Sequence, residues 1–164
     1  MYFTSRLAEE AIESLKEQGF VLPHKPDHAP ELPDDVSTLD DESLLKLMQE
    51  FTAWADYASA QVGMAVIAER ESDLALEKAT AEVWHRSLAV DPKMSVTVLK
   101  TVSLTVTEVA DARDQYESAY AYRRMASDIA DRFERDAQLL SRELTRRNQS
   151  EFNVRQRRRA KWEP

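Results

Sequence analysis

Apolar residues recur along this chain at helical spacing, and two long stretches run without a break. Alternating steps of four and three from Leu44 select Leu44, Met48, Phe51, Ala55, Ala58, Val62, Ala65, Glu69, Ser72, Leu76, Ala79 and Val83, and only Glu69 and Ser72 are polar. That pattern predicts one long helix over Asp41–Leu88 with a coiled-coil-like seam. A neighbouring row, Leu47, Trp54, Ile67, Leu74, Ala81 and Leu88, widens the apolar face beyond what one partner helix covers. A second stripe, Ala112, Tyr116, Ala119, Arg123, Ala126, Ala130, Phe133, Ala137, Leu140 and Leu144, predicts another long helix ending near Asn148. Asp91-Pro92 separates the two, with Asp91 as a cap and Pro92 at the first helical position.

Residues 94–109, MSVTVLKTVSLTVTEV, fit two descriptions. Val96, Val98, Val102, Leu104 and Val106 partly alternate as in a strand, while Leu99, Val102, Val106 and Val109 share one helical face. Helix is favoured, because a lone strand has no sheet to join. Upstream, Leu7, Ala8, Ala11, Ile12 and Leu15 predict a short helix over Thr4–Gln18, with Gly19 placed for a left-handed cap. The following segment carries Pro23, Pro26, Pro30 and Pro33 and reads as a semi-rigid linker. Thr38 and Asp40 then offer side-chain oxygens to cap the first long helix.

The predicted organisation is a helix (1–19), a Pro-rich acidic linker (20–40), a helical hairpin (41–148) and a basic arm (149–164). The fold class is all-α: a long antiparallel hairpin with a short N-terminal helix. Two helices cannot cover stripes this broad, so further copies of the chain are expected to bury them in a homo-oligomeric bundle or ring. Leu44, Met48, Phe51, Trp54, Val62, Leu76, Tyr116, Phe133 and Leu140 are the expected interface.

Composition narrows the chemistry. Two glycines in 164 residues leave no phosphate-binding loop or dinucleotide turn, and the absence of Cys removes disulfides, thiolate metal sites and cysteine nucleophiles. No apolar run suits a signal peptide or a membrane span, so a soluble protein is expected, and the lack of Cys is compatible with a reducing cytoplasm. His24 and His28 lie in the Pro-rich linker without a third ligand, and His85 suits a helix end. The pairs Asp111/Asp114 and Asp128/Asp131 share helix faces with nearby arginines, as surface ion pairs do. No catalytic residue, metal site or cofactor is expected. Arg123, the one charged member of its stripe, either snorkels or pairs with Glu69 in the facing stripe and fixes register. Trp54, Tyr57, Tyr116, Tyr120 and Tyr122 suit a core or interface better than base stacking.

Charge is polarised. Residues 1–141 hold 14 Lys and Arg against 27 Asp and Glu, net −13, whereas 142–164 hold 8 against 3, net +5. Seven acidic residues between Asp27 and Glu42 meet no Lys or Arg. At the other end, Arg142, Arg146, Arg147, Arg155, Arg157, Arg158, Arg159 and Lys161 are interleaved with Phe152 and Trp162. Guanidinium groups bind phosphates and aromatic rings stack on unpaired bases, which suits single-stranded nucleic acid. The same arm also suits the acidic linker of a neighbouring subunit.

The segment LPDDVSTLDDESLLKLMQEFTAWADYASAQV, the long helix after it and the ending LLSRELTRR…RRRAKW resemble a family of small helical proteins encoded by tailed phages of actinobacteria. Their plan is similar to the UvsY-type recombination mediators, and the likeness covers residues 32–162. It implies an oligomeric helical ring that binds single-stranded DNA and helps load a RecA-type recombinase in place of single-strand-binding protein, without enzymatic activity. In those mediators the basic patch lies in the first half of the helical region; here basic residues such as Lys78 and Arg86 are sparse there, and the cations cluster at the end. From the residues alone, a structural or interaction protein, such as a capsid scaffold or a host-protein-binding factor, is the other reading.

Overall fold

The computed structural model describes residues 5–160, without the side chains of residues 151 and 154–160. Helices account for all regular structure among these residues: α1 (Arg6–Glu17), a 3₁₀ turn (Val36–Thr38), α2 (Asp41–Val90), α3 (Val96–Thr105) and α4 (Thr107–Ala160). The two long helices, α2 and α4, pack against each other as a hairpin. No described helix is long and apolar enough to cross a membrane. The chain divides into two compact units, Met1–Leu22 with Ala60–Ser127, and Pro23–Ser59 with Asp128–Pro164.

The first unit shows how α1 and α3 use local chemistry. Ser5 caps α1: its hydroxyl accepts the Ala8 amide at 3.1 Å and donates to Glu71 of α2 at 2.6 Å. Both roles explain why Ser5 is buried. At the other end Gly19, at φ 85°, lets its own amide reach Lys16 and the Phe20 amide reach Leu15, as a Schellman cap requires. Ala8 is buried and Ala11 and Ile12 half-buried, while Leu7 and Leu15 stay outside.

The break at Asp91-Pro92 holds a turn followed by a separate helix, α3. Pro92 does not start it. The Asp91 carboxylate accepts the Lys93 amide at 3.0 Å, closing a turn, and Ser95 caps α3 through the Val98 amide. Residues 96–105 are helical, as favoured, with Leu99 and Val109 buried and Val102 and Val106 half-buried on the expected face. The β-branched run still has a consequence: Val106 is extended (φ −88°, ψ 125°) and divides α3 from α4. Trp84 locks α3 down, its indole N–H donating to Ser103 Oγ at 2.8 Å, whose hydroxyl donates to the Leu99 carbonyl.

In the second unit the Pro-rich segment is a covering strap, a role that a linker reading misses. Leu44, Phe51 and Leu140 form the buried centre, and Leu32, Val36 and Leu39 of the strap pack on it with Leu47, Met48, Phe133, Ala137 and Leu144. Trp54 stacks on Phe133 (centroids 5.4 Å apart), meets Tyr57 edge-on and donates its indole N–H to the His28 carbonyl at 2.5 Å. The strap ends in two caps: Asp35 accepts the Ser37 amide and Asp40 accepts the Ser43 amide, so Asp40, not Thr38, opens α2.

Every member of the two predicted stripes is buried or half-buried. What covers them is the chain itself. The neighbouring row is half-buried at Leu47, Trp54 and Ile67 and exposed at Leu74, Ala81 and Leu88. Replacing the buried Phe51 by Ala removes a ring from the centre of the second unit and is expected to destabilise the chain by about 3–5 kcal/mol in denaturant titrations. Val21→Ala, at a residue 94% exposed, is expected to change little.

Candidate nucleic-acid interface

The basic residues lie on α4, which continues past Asn148 to Ala160. The expected stop at Asn148 followed the end of the apolar stripe. Beyond it the sequence has no Gly or Pro before Pro164, and its Arg, Gln, Glu and Ala are good helix formers. Cations also suit the negative C-terminal end of a helix dipole.

These residues divide by environment. Arg147 is half-buried and every one of its five N–H groups is taken. Nε donates to Glu143 at 2.9 Å, Nη1 to the Leu39 carbonyl (2.8 Å) and Asp41 (2.7 Å), and Nη2 to the Ser37 (3.1 Å) and Val36 (3.3 Å) carbonyls. The planar guanidinium fork thus fills the acceptors of the 3₁₀ turn, a task that composition cannot distinguish from phosphate binding. Arg146 is exposed and bidentate on Glu143, at 2.7 and 2.6 Å. Arg142 is exposed, as are Asn148, Gln149, Phe152 and Asn153. Arg155, Arg157, Arg158 and Arg159 fall in the last turns of α4, and their side chains lie outside the described set. Lys161 and Trp162 lie outside the described residues.

Glu143 accepts from both Arg146 and Arg147, and these bonds pull its carboxyl from its ordinary 4.5 to about 2. Hydrogen bonds from Ser37 lower Asp35 in the same direction, and those from Ser43 lower Asp40.

The expected oligomer contacts are engaged within one chain. Leu44, Phe51 and Leu140 are buried there, and Met48, Trp54, Val62, Leu76, Tyr116 and Phe133 are half-buried. Packing within one chain thus already covers part or all of each, with the strap seated on Leu44, Phe51 and Leu140. The exposed large apolar residues are others, among them Val66, Leu74, Tyr120, Met125, Ile129 and Leu139.

Arg123 pairs with Glu69, the partner its stripe position suggested, and its guanidinium lies 5.4 Å from the Tyr120 ring centre. Tyr116 and Tyr120 pack ring against ring, 6.5 Å apart. His24, His28 and His85 are exposed, as are Asp111, Asp114, Asp128 and Asp131. Among the described residues, no group of three or more His, Asp or Glu is placed to hold a metal ion. No family model, curated protein or solved structure matches this chain.

The Glu143 arrangement has a pH signature. Because its folded carboxyl titrates lower than in the unfolded chain, the stabilisation is complete above about 4.5 and lost as pH falls towards about 2. Glu143→Gln is expected to be less stable than wild type at neutral pH, with the difference in thermal midpoint shrinking across that window.

Proposed function

We propose that this chain is a non-enzymatic single-stranded-DNA-binding protein of the recombination-mediator type, acting through the basic end of α4. The carrying observation is the charge of that helix end. Arg155, Arg157, Arg158 and Arg159 follow one another within five residues, on a chain otherwise net acidic. Lys161 and Trp162 extend the same chemistry. Arg146 and Arg147 leave the set of phosphate ligands, since Glu143 and the strap hold them; Arg142 stays.

Four or more clustered cations displace condensed counterions from a nucleic-acid strand, which gives affinity without reading sequence. Self-association would multiply such contacts, and the exposed apolar residues of α2 and α4 support it. In this reading a RecA-type recombinase and single-strand-binding protein are the protein partners, in the cytoplasm of a bacterial host.

Titration of fluorescent oligo-dT tests the reading. The full chain is expected to bind with a steep loss of affinity between about 50 and 200 mM salt. The variant with Arg155, Arg157, Arg158 and Arg159 all replaced by Gln is expected to bind at least tenfold more weakly and with a shallower salt slope. Equal binding by both proteins removes the arm from the interface, and no binding by wild type overturns the proposed function.

A further inference from the structure

The last described turns of α4 have two faces with opposite occupancy. On one, Arg147 is committed to Glu143, to the backbone around the 3₁₀ turn and to Asp41. On the other, Arg142, Thr145, Asn148, Gln149, Phe152 and Asn153 follow at helical spacing. Thr145, Asn148, Gln149, Phe152 and Asn153 line a shallow open groove of about 420 Å³. Phe152 is 60% exposed there. The Thr145 hydroxyl turns back to the Ser141 carbonyl at 2.9 Å, so the amides are the hydrogen-bonding groups offered outwards.

An exposed ring set among side-chain amides is an unusual surface for a protein partner. A docking helix needs aliphatic anchors at successive turns, and this row contains no Leu, Ile, Val or Met. A second copy laid along it would bury amides where a seam places apolar knobs. Nucleobases present the matching chemistry. Their faces stack on aromatic rings, and their edges carry paired donors and acceptors that Asn and Gln side chains complement. The flanking cations fit as well: Arg142 precedes the row, and the same three-four spacing continues in the sequence to Gln156 and Arg159.

We infer that this row is where the bases of single-stranded DNA lie, with Phe152 stacking on one base and Asn148 and Gln149 meeting base edges. The inference rests on the nucleic-acid reading above and adds to it a row of side-chain amides beside Phe152 that meets base edges, while the arginines hold phosphates. Glu143 and Arg147, on the other side of the helix, keep the row's backbone anchored.

Abasic DNA separates the two ideas. Full-length wild type is expected to bind oligo-dT roughly tenfold more tightly than an abasic strand of equal length and charge, as loss of a base stack implies. Phe152→Ala is expected to lose that preference while keeping the salt slope and helical circular dichroism of wild type, and Phe152→Trp to restore it. Asn148→Ala with Gln149→Ala is expected to weaken oligo-dT binding without changing abasic binding. If Phe152→Ala prefers oligo-dT over the abasic strand as wild type does, the row is not the base site, although the arginine arm stands. If Phe152→Ala instead lowers the mass in light scattering and leaves the preference intact, the row joins copies of the chain and the inference is overturned. If wild type binds neither strand, the nucleic-acid reading fails together with the row.

Discussion

One guanidinium connects the Pro-rich segment to the core of the second unit. The strap before α2 contains four prolines that donate no backbone hydrogen bond, and around its 3₁₀ turn the carbonyls of Ser37 and Leu39, together with that of Val36, which also accepts the Leu39 amide, take side-chain donors. Arg147 supplies them from α4 while Glu143 and Asp41 balance its charge. The turn held in this way places Leu32, Val36 and Leu39 against Leu44, Phe51 and Leu140, and Asp40 then opens α2. A lysine has neither the number of donors nor the planar fork to do this.

Much of the fold was legible because it depends on periodicity. The stripe from Leu44 to Val83 and the stripe from Ala112 to Leu144 are covered throughout, and Arg123 found Glu69 because they are the two charged members of facing apolar seams. Features set by single residues were harder to read. Val106 becomes extended although its face is helical, and Pro92 sits in an Asx-type turn closed by Asp91 rather than at a helix start. The breadth of the stripes was legible, and the strap was not: it packs on Leu44, Phe51 and Leu140 from within the same chain, where a Pro-rich run reads as a linker.

The site was legible in charge and not in partnership. Eight cations in the last stretch of sequence look alike in composition, yet Arg147 is internal to the fold and Arg146 is paired, while Arg142 remains exposed. A signal for the difference was present. Glu143 stands three residues before Arg146 and four before Arg147, a helical ion-pair spacing, and the acidic caps around Asp41 are a natural counterpart for one of the two. The groove beside Phe152 needed the opposite reasoning, because amides carry no charge and register emerges only once α4 is known to continue past Asn148.

The structural role of Arg147 is therefore the claim on which both the fold of the second unit and the revised set of phosphate ligands rest. Hydrogen exchange followed by mass spectrometry, comparing wild type with Arg147→Lys, measures it directly. The account expects faster exchange in peptides spanning the 3₁₀ turn and the start of α2, with α3 unchanged. Identical exchange across residues 34–48 in the two proteins would contradict it.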